Sequence, residues 1–299
     1  MTETFVLIKR NVKMFFKDKA LFFTSMITPL ILLVLYSTFL GNVYRDSFAA
    51  MLEGTSASGA AIDGLVGGQL VSSLLSVSCV TVAFCSNMLM VQDKVTGARG
   101  DFCMTPIRPS QLAVAYFTAS AFSTLIIAFF ATALGLGYMC VTGWYLSVAD
   151  VLLIILDVFI LTLFGTGLSS VINSFLSSQG QISAVGSIVS SCYGFICGAY
   201  MPISQFSEGL AKVLSCLPGT YATSILRNHT MRGAVKALEK EGVPEFNISL
   251  IRETTDMEID FFGKSVSEGA MLAVITAAAL AVTIAYVLIC TFRGRKGKR

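Results

Sequence analysis

The stretch Val91–Ser110, VQDKVTGARGDFCMTPIRPS, sets Asp93, Lys94, Arg99, Asp101 and Arg108 between two long apolar runs. Each charge near the centre of a bilayer costs about 2.5–3.5 kcal/mol on insertion scales, so this cluster belongs in water although its flanks belong in hydrocarbon. The residues predict a short helix over Val91–Phe102. Gly97 and Gly100 permit close approach to another surface, Thr105-Pro106 and Pro109 end the helix, and Ser110 caps the next one. A charged loop that projects a short helix from a membrane protein is placed to receive force from a soluble partner. The plainer reading is a solvated connector.

The flanking runs follow from the composition. The 299 residues are 55% hydrophobic and 13% charged, whereas soluble chains carry about 25% charged residues because a water-facing surface needs them. This is a membrane protein. Its net charge of +3 is too small to point to nucleic acid. Cys79, Cys85, Cys140, Cys192, Cys197 and Cys290 lie in apolar runs without C-x-x-C spacing, and a lone His229 excludes a multi-histidine metal site. No G-x-S-x-G, no H-E-x-x-H and no set of Ser, His and Asp points to catalysis. Gly263-Lys264-Ser265 lacks the earlier glycine of a P-loop, since position 258 is Glu. No catalytic residue, metal ligand, cofactor or nucleotide site is expected in the chain.

Residues 1–20 alternate Lys9, Arg10, Lys13, Lys17 and Lys19 with Phe5, Leu7, Phe15 and Phe16 and lack a small-residue cleavage site. They read as an interfacial helix rather than a signal peptide. Six runs have the length of a span, at about 21–40, 65–90, 111–139, 151–172, 182–200 and 269–292. Pro29 should kink the first. The polar residues Gly41–Asp63 read as a loop, Trp144 and Tyr145 suit a membrane interface, and Gly194 and Gly198 suggest close helix pairing. Between 201 and 268 the chain turns mixed: Phe206–Leu217 and Gly219–Leu226 are too short to span and read as re-entrant pieces, and Gly233–Lys264 as a small soluble cap. With six spans, the N-terminal cations, the loop with Lys94, Arg99 and Arg108, and the tail 293–299, RGRKGKR, share one side. Cations mark that side as cytoplasmic, so both termini are expected there.

Two intramembrane polar residues stand out. Asp157 sits in LLIILDVFIL, where a carboxylate faces protein or water. Asn87, Thr162 and Asn173 are its candidate hydrogen-bond partners. Asn228-His229-Thr230 and Asn247-Ile248-Ser249 match glycosylation sequons.

The segment Gly198–Arg232, GAYMPISQFSEGLAKVLSCLPGTYATSILRNHTMR, breaks at Met201-Pro202 and again at Pro218-Gly219-Thr220-Tyr221. Here the sequence resembles the ABC-2 family of transporter permeases, whose fifth span is followed by such breaks. The loop at Val91 resembles the family's first cytoplasmic loop, through Lys94, Gly97 or Gly100, and Thr105-Pro106, with Gln92-Asp93-Lys94 where the family often has Glu-Arg. The resemblance implies an all-α membrane protein of six transmembrane helices, type V exporter-like, with an N-terminal elbow helix, a cytoplasmic coupling helix and re-entrant extracellular helices. It implies a plasma-membrane permease that exports an amphipathic drug, peptide or lipid as a homodimer or heterodimer, with ATP and Mg bound by a separate ATPase subunit. On this chain the contacts to the ATPase would be Gln92, Asp93, Lys94, Arg99, Asp101 and Phe102, and the outer lid would include Pro202, Pro218 and Tyr221. The competing readings are a proton-coupled carrier working through Asp157, which should show an internal repeat that is not found, and a membrane anchor for an ATPase.

Overall fold

A computed structural model describes residues 2–105, 107–261 and 263–296. Pro106 of the expected helix stop, and Gly297, Lys298 and Arg299 of the basic tail, lie outside the described residues. The bundle is built around α4 (Gly59–Val95). Of its most apolar 18-residue window, 89% is buried inside the protein, against 17% for the last helix. Apart from Gln69, the polar side chains of the run LVGGQLVSSLLSVSCVTVAF are no larger than serine, threonine or cysteine, and several of its hydroxyls bond carbonyls one turn back, as Ser76 does to Ser72 (2.8 Å). It can therefore bury every face.

Helix α1 (Thr2–Lys17) buries Leu7, Asn11 and Phe15, spaced by four residues, and leaves Phe5 and Val6 exposed. Asp18 then turns the chain and caps α2 (Lys19–Leu35), accepting from the Leu21 amide at 3.0 Å. The expected loop from Gly41 is instead helix. A π stretch at Tyr36–Leu40 leads into α3 (Gly41–Met51), and the loop shrinks to the residues between Met51 and Gly59. Polar residues continue the helix because they bond back along it, Asn42 to Thr38 O (3.2 Å) and Ser47 to Val43 O (2.9 Å), while Phe48 is buried on the inner face.

The helix expected over Val91–Phe102 is divided. α4 runs to Val95, Gly97 adopts φ +84°, and α5 (Ala98–Met104) starts in a new direction. Only glycine takes that φ without strain. The next helix, α6 (Pro109–Thr142), is capped at Arg108 and not at Ser110. Proline fits the first helical position, where its missing N–H is no loss, and this moves the cap one residue earlier. Gln111 Oε1 accepts from the Arg108 amide at 2.9 Å. α7 (Val148–Phe175) opens with a reciprocal box between Ser147 and Asp150.

Helix α8 (Gln179–Ile196) covers most of the fifth expected span. Its 18 residues rise about 27 Å, and it is not among the five stretches long and apolar enough to cross a membrane: Lys19–Met51, Gly59–Val95, Pro109–Thr142, Val148–Phe175 and Glu268–Arg293. Gly194 and Gly198 do not mark a helix crossing. Gly198 has φ +73° and reverses the chain, and a side chain on Gly194 would strike the Tyr200 ring.

Beyond a 3-10 turn at Ile203–Gln205 and α9 (Glu208–Leu214), the second expected re-entrant piece is only the start of α10 (Pro218–Lys240). Thr230 and Ala234 of α10 lie against Gly68 and Gly64 of α4, so the helices are antiparallel, and Gly219 lies against Tyr193 and Cys197 of α8. The 16 residues from Pro218 to Ala234 rise about 24 Å, which starts α10 beside the middle of α4. Tyr145 wedges between α4 and α10, its ring at Gly64 and its backbone at Gly233, while Trp144 is half exposed. The cap consists of α11 (Glu245–Thr254) and a hairpin pairing Asp260–Phe261 with Lys264–Ser265. α12 (Glu268–Lys296) closes the bundle. The Gly263-Lys264-Ser265 sequence is the tip of that hairpin, with Gly263 at φ +83°, and not a strand-to-helix phosphate loop.

Candidate coupling site

At the α5 end of the bundle, the last turn of α4 carries two adjacent charges that do different work. Asp93 is 3% exposed and accepts three hydrogen bonds, from Arg10 Nη1 (2.5 Å), Arg10 Nη2 (2.8 Å) and the Tyr116 hydroxyl (2.6 Å). The Arg10 guanidinium also lies over the Phe102 ring, 5.0 Å from its centroid. One carboxylate thus ties α1, α4 and α6, and the arginine extends the tie to α5. The hydrogen bond to Asp93, more than burial, acts on Arg10 and raises its pKa above its ordinary value, so the guanidinium keeps its charge at neutral pH.

Lys94 points the other way. Its ammonium donates to the carbonyls of Asn173 (2.9 Å), Ser174 (2.9 Å) and Leu176 (2.8 Å), at the end of α7 where helical carbonyls run short of amide partners. Arg293 of α12 donates to Ser174 O at 3.0 Å and stacks on Phe175 at 4.5 Å. Of the six expected contact residues, Asp93, Lys94 and Phe102 therefore hold the protein's own elements together. Gln92 and Arg99 are half-buried, and Asp101 and Met104 stand out on α5, Met104 being 88% exposed. Arg10, Tyr116 and Arg293 belong to the same region and were not singled out by the sequence.

Deeper in the bundle, the structure separates the two intramembrane polar residues. Asn87 donates to Thr166 O (3.3 Å), Ser169 Oγ (2.7 Å) and Ser170 Oγ (2.7 Å), pegging α4 to α7. Asp157 does not use Asn87, Thr162 or Asn173; its Oδ2 pairs with Nδ1 of buried His229 on α10, and its Oδ1 has no partner among the described residues. Arg232 lies one turn along α10 and bridges Glu268 (2.6 Å) and Asp150 (3.7 Å).

The lid residues are inside: Pro202 and Tyr221 are buried, and Pro218 opens α10. What fixes this segment is Arg227, 1% exposed. It donates to Thr255 O (2.8 Å), to Asp256 (3.2 Å) and to Gly198 O. Asp256, at φ +54°, also accepts from the amides of Ile203 (2.5 Å) and Ser204 (3.1 Å). Burying an arginine is costly unless its charge is matched; Asp256 matches this one, its two terminal nitrogens are bonded while Nε has no partner among the described residues, and it joins α10, the end of α11 and the turn after α8. Nothing in the local sequence marks it, because its partners lie 28 or more residues away. The sequons are engaged too. Asn228 is buried and donates to Ser224 O (3.0 Å) and Met257 O (2.7 Å), and Asn247 donates to Met51 O (2.6 Å).

The family model of the ABC-2 type transporter matches residues 2–230. The match takes in the Arg10 and Asp93 lock, α5, the Asp157 and His229 pair and the start of α10. The chain belongs to the ABC-2 type transporter family. It is a multi-pass membrane protein and the permease of an ABC transporter, a membrane domain that has no nucleotide-binding site of its own. A search among curated proteins finds no match.

Proposed function

We propose that this permease works as an exporter of an amphipathic substrate, powered by ATP and Mg held on a separate ATPase subunit that docks on α5 and the adjoining face of α1. The observation that carries this reading is the shape of the α5 end. A short helix with an exposed outer face, Asp101 and Met104, hangs on the Gly97 joint and is braced through Phe102 and Arg10 to α1, α4 and α6. Such a piece moves as a lever when pushed.

In this reading α8 is a sixth span and both termini are cytoplasmic. The cations support that side: Arg10, Lys94, Arg99 and Arg293 make their contacts at the α5 end, and Arg108 caps the helix that follows α5. A second copy, or a related permease, covers the faces that suit lipid poorly. Ser183, Ser187, Ser190 and Ser191 form an exposed polar face on α8. A hydroxyl stripe of that kind belongs against protein or water.

The test is reconstitution with the cognate ATPase in inverted vesicles. Asp101→Ala with Met104→Ala should weaken ATPase binding and abolish ATP-driven uptake while leaving insertion and thermal stability intact. Unchanged ATPase affinity and unchanged uptake in that double variant would refute the docking role of α5.

A further inference from the structure

Beside the coupling lever, at the ends of α4, α7 and α12, lies a cavity of about 210 Å³ lined by Lys94, Arg99, Arg293, Phe175, Leu176 and Cys290, with Ser174 and Ser177 at its edge. Among the described residues it has three cations in its lining and no carboxylate. The nearest acid in sequence, Asp93, is turned away and held by Arg10 and Tyr116. Three like charges gathered without a counter-ion repel one another, and folding tolerates this most readily when an anion joins them.

The donors have unequal amounts of free capacity. All three Lys94 hydrogens are spent on α7 carbonyls. Arg293 spends one of its five on Ser174 O. Among the described residues Arg99 makes no hydrogen bond or ion pair, although it lies close enough to Lys94 and Cys290 to act on both electrostatically. Arg99 and Arg293 therefore offer two guanidinium forks, the geometry that suits a phosphate oxyanion, with Lys94 behind them as a fixed positive charge.

The rest of the lining says where that phosphate comes from. The cavity sits where three apolar helices end at one level, which is the headgroup level of a bilayer. Its wall is apolar on one side, with Phe175 (54% exposed) and Leu176. A volume several times the roughly 30 Å³ share of one water accommodates a phosphate and part of its glycerol. We infer that this cavity binds the phosphate oxyanion of an anionic phospholipid headgroup, clasped by Arg99 and Arg293 next to the coupling lever. The inference rests on the multi-pass fold alone and not on the ATPase.

The experiment titrates the purified permease in neutral detergent with dihexanoyl phosphatidylglycerol, dihexanoyl phosphatidylcholine or inorganic phosphate, and reads the melting midpoint. Phosphatidylglycerol should raise it saturably and phosphatidylcholine should not. Arg99→Gln should raise the half-saturating concentration about tenfold, the loss of one charge-assisted fork. Lys17→Gln, which removes the same charge from an exposed site outside the cavity lining, should change it less than about twofold. Stabilisation by inorganic phosphate at the concentrations where phosphatidylglycerol acts would keep the oxyanion site but assign it to a free ion. Equal response to both lipids, or an Arg99→Gln variant that responds as the wild type does, would overturn the proposal. So would an Arg99→Gln variant that binds phosphatidylglycerol normally and loses only ATPase affinity, which would make the cavity part of the ATPase dock.

Discussion

Removing the Asp93 carboxylate should cost this protein about 3 kcal/mol, and removing its partner Arg10 should cost less. Asp93→Ala withdraws the acceptor from three donors at once. The Tyr116 hydroxyl lies on a residue only 4% exposed, so leaving it unpaired costs about 1–2 kcal/mol. The arginine is a different case. Its side chain is 27% exposed while that of Asp93 is 4% exposed, which places the pair between a surface bridge, worth about 0–1 kcal/mol, and a fully buried one, where breaking the pair costs about 3–5 kcal/mol. We assign it about 1.5 kcal/mol, and with the hydroxyl this gives about 3 kcal/mol for Asp93→Ala. Arg10→Ala should cost about 2 kcal/mol, since Tyr116 still serves the carboxylate but its charge loses the matching cation. The two variants and their double define a cycle whose coupling energy should be about 1.5 kcal/mol. SDS-titrated unfolding in mixed micelles, followed by helicity, measures all four corners. Because the Asp93 bond raises the folded pKa of Arg10, the arginine's contribution is complete below the ordinary arginine range and is lost only as pH rises above it. The coupling should therefore be the same at pH 6 and pH 8.5. A coupling below about 0.5 kcal/mol, within the scatter of independent sites, would mean the bidentate contact holds nothing together.

Cysteines introduced at Ser56 and Glu245 should label from outside the cell only, and one at Met104, 88% exposed, from inside only; any reversal sinks the six-span arrangement. Gly68→Ala places a Cβ within 2.9 Å of the Thr230 carbonyl, backbone that cannot swing aside, and should cost about 1–3 kcal/mol in the same micelle titration. Gly137→Ala, whose Cβ meets nothing within 4 Å, should be nearly neutral, and equal effects would refute the close contact of α4 with α10. Asp157→Asn keeps an acceptor for His229 and should retain most ATP-driven transport in vesicles, whereas Asp157→Leu leaves the imidazole unpaired and should misassemble. Uptake driven by a pH gradient without nucleotide, stopped by Asp157→Asn alone, would replace this reading with proton coupling.

The parts legible in the sequence were those set by local chemistry. Charges inside an apolar chain exposed the α5 loop, and run length located all but the ends of the long helices. The errors have physical causes. The residues after Gly41 look like a loop by polarity, but Asn42 and Ser47 satisfy themselves on the helix they extend, and Phe48 supplies the buried face. The sequence reads as one helix through Gly97 and Gly100, both placed for close approach to another surface. Only the fold decides that Gly97 takes the positive φ while Gly100 stays in α5. The larger failure was α10, whose sequence Arg227-Asn228-His229 reads as the polar end of a short dip. It is buried helix because Gly198, Thr255, Asp256, Met257 and Asp157 arrive from distant parts of the chain to meet it. No window of local sequence contains those partners, and without them burying three polar residues in a row would be prohibitive.

Those two regions, the α5 end and α10, are joined by a single piece of structure. α4 carries Asp93 in its last turn, Asn87 pegged to α7 two turns earlier, and Gly64 and Gly68 against α10 near its start. A helix of 37 residues, about 55 Å long and packed on almost every side, does not bend easily. A push on α5 therefore reaches the opposite end by one of two routes. It travels through the Gly97 joint into α4 as a tilt of the whole rod, or through Phe102 and Arg10 into α1, which packs mainly on α6. The Arg10 and Asp93 bridge decides between them, because while it holds, α1 and α4 cannot move apart and the two routes are one. Breaking it leaves the Gly97 joint as the direct link from α5 to α4, and glycine is the residue least able to transmit torque. The same bridge that contributes a modest amount to stability is thus where the mechanical reading places its largest effect.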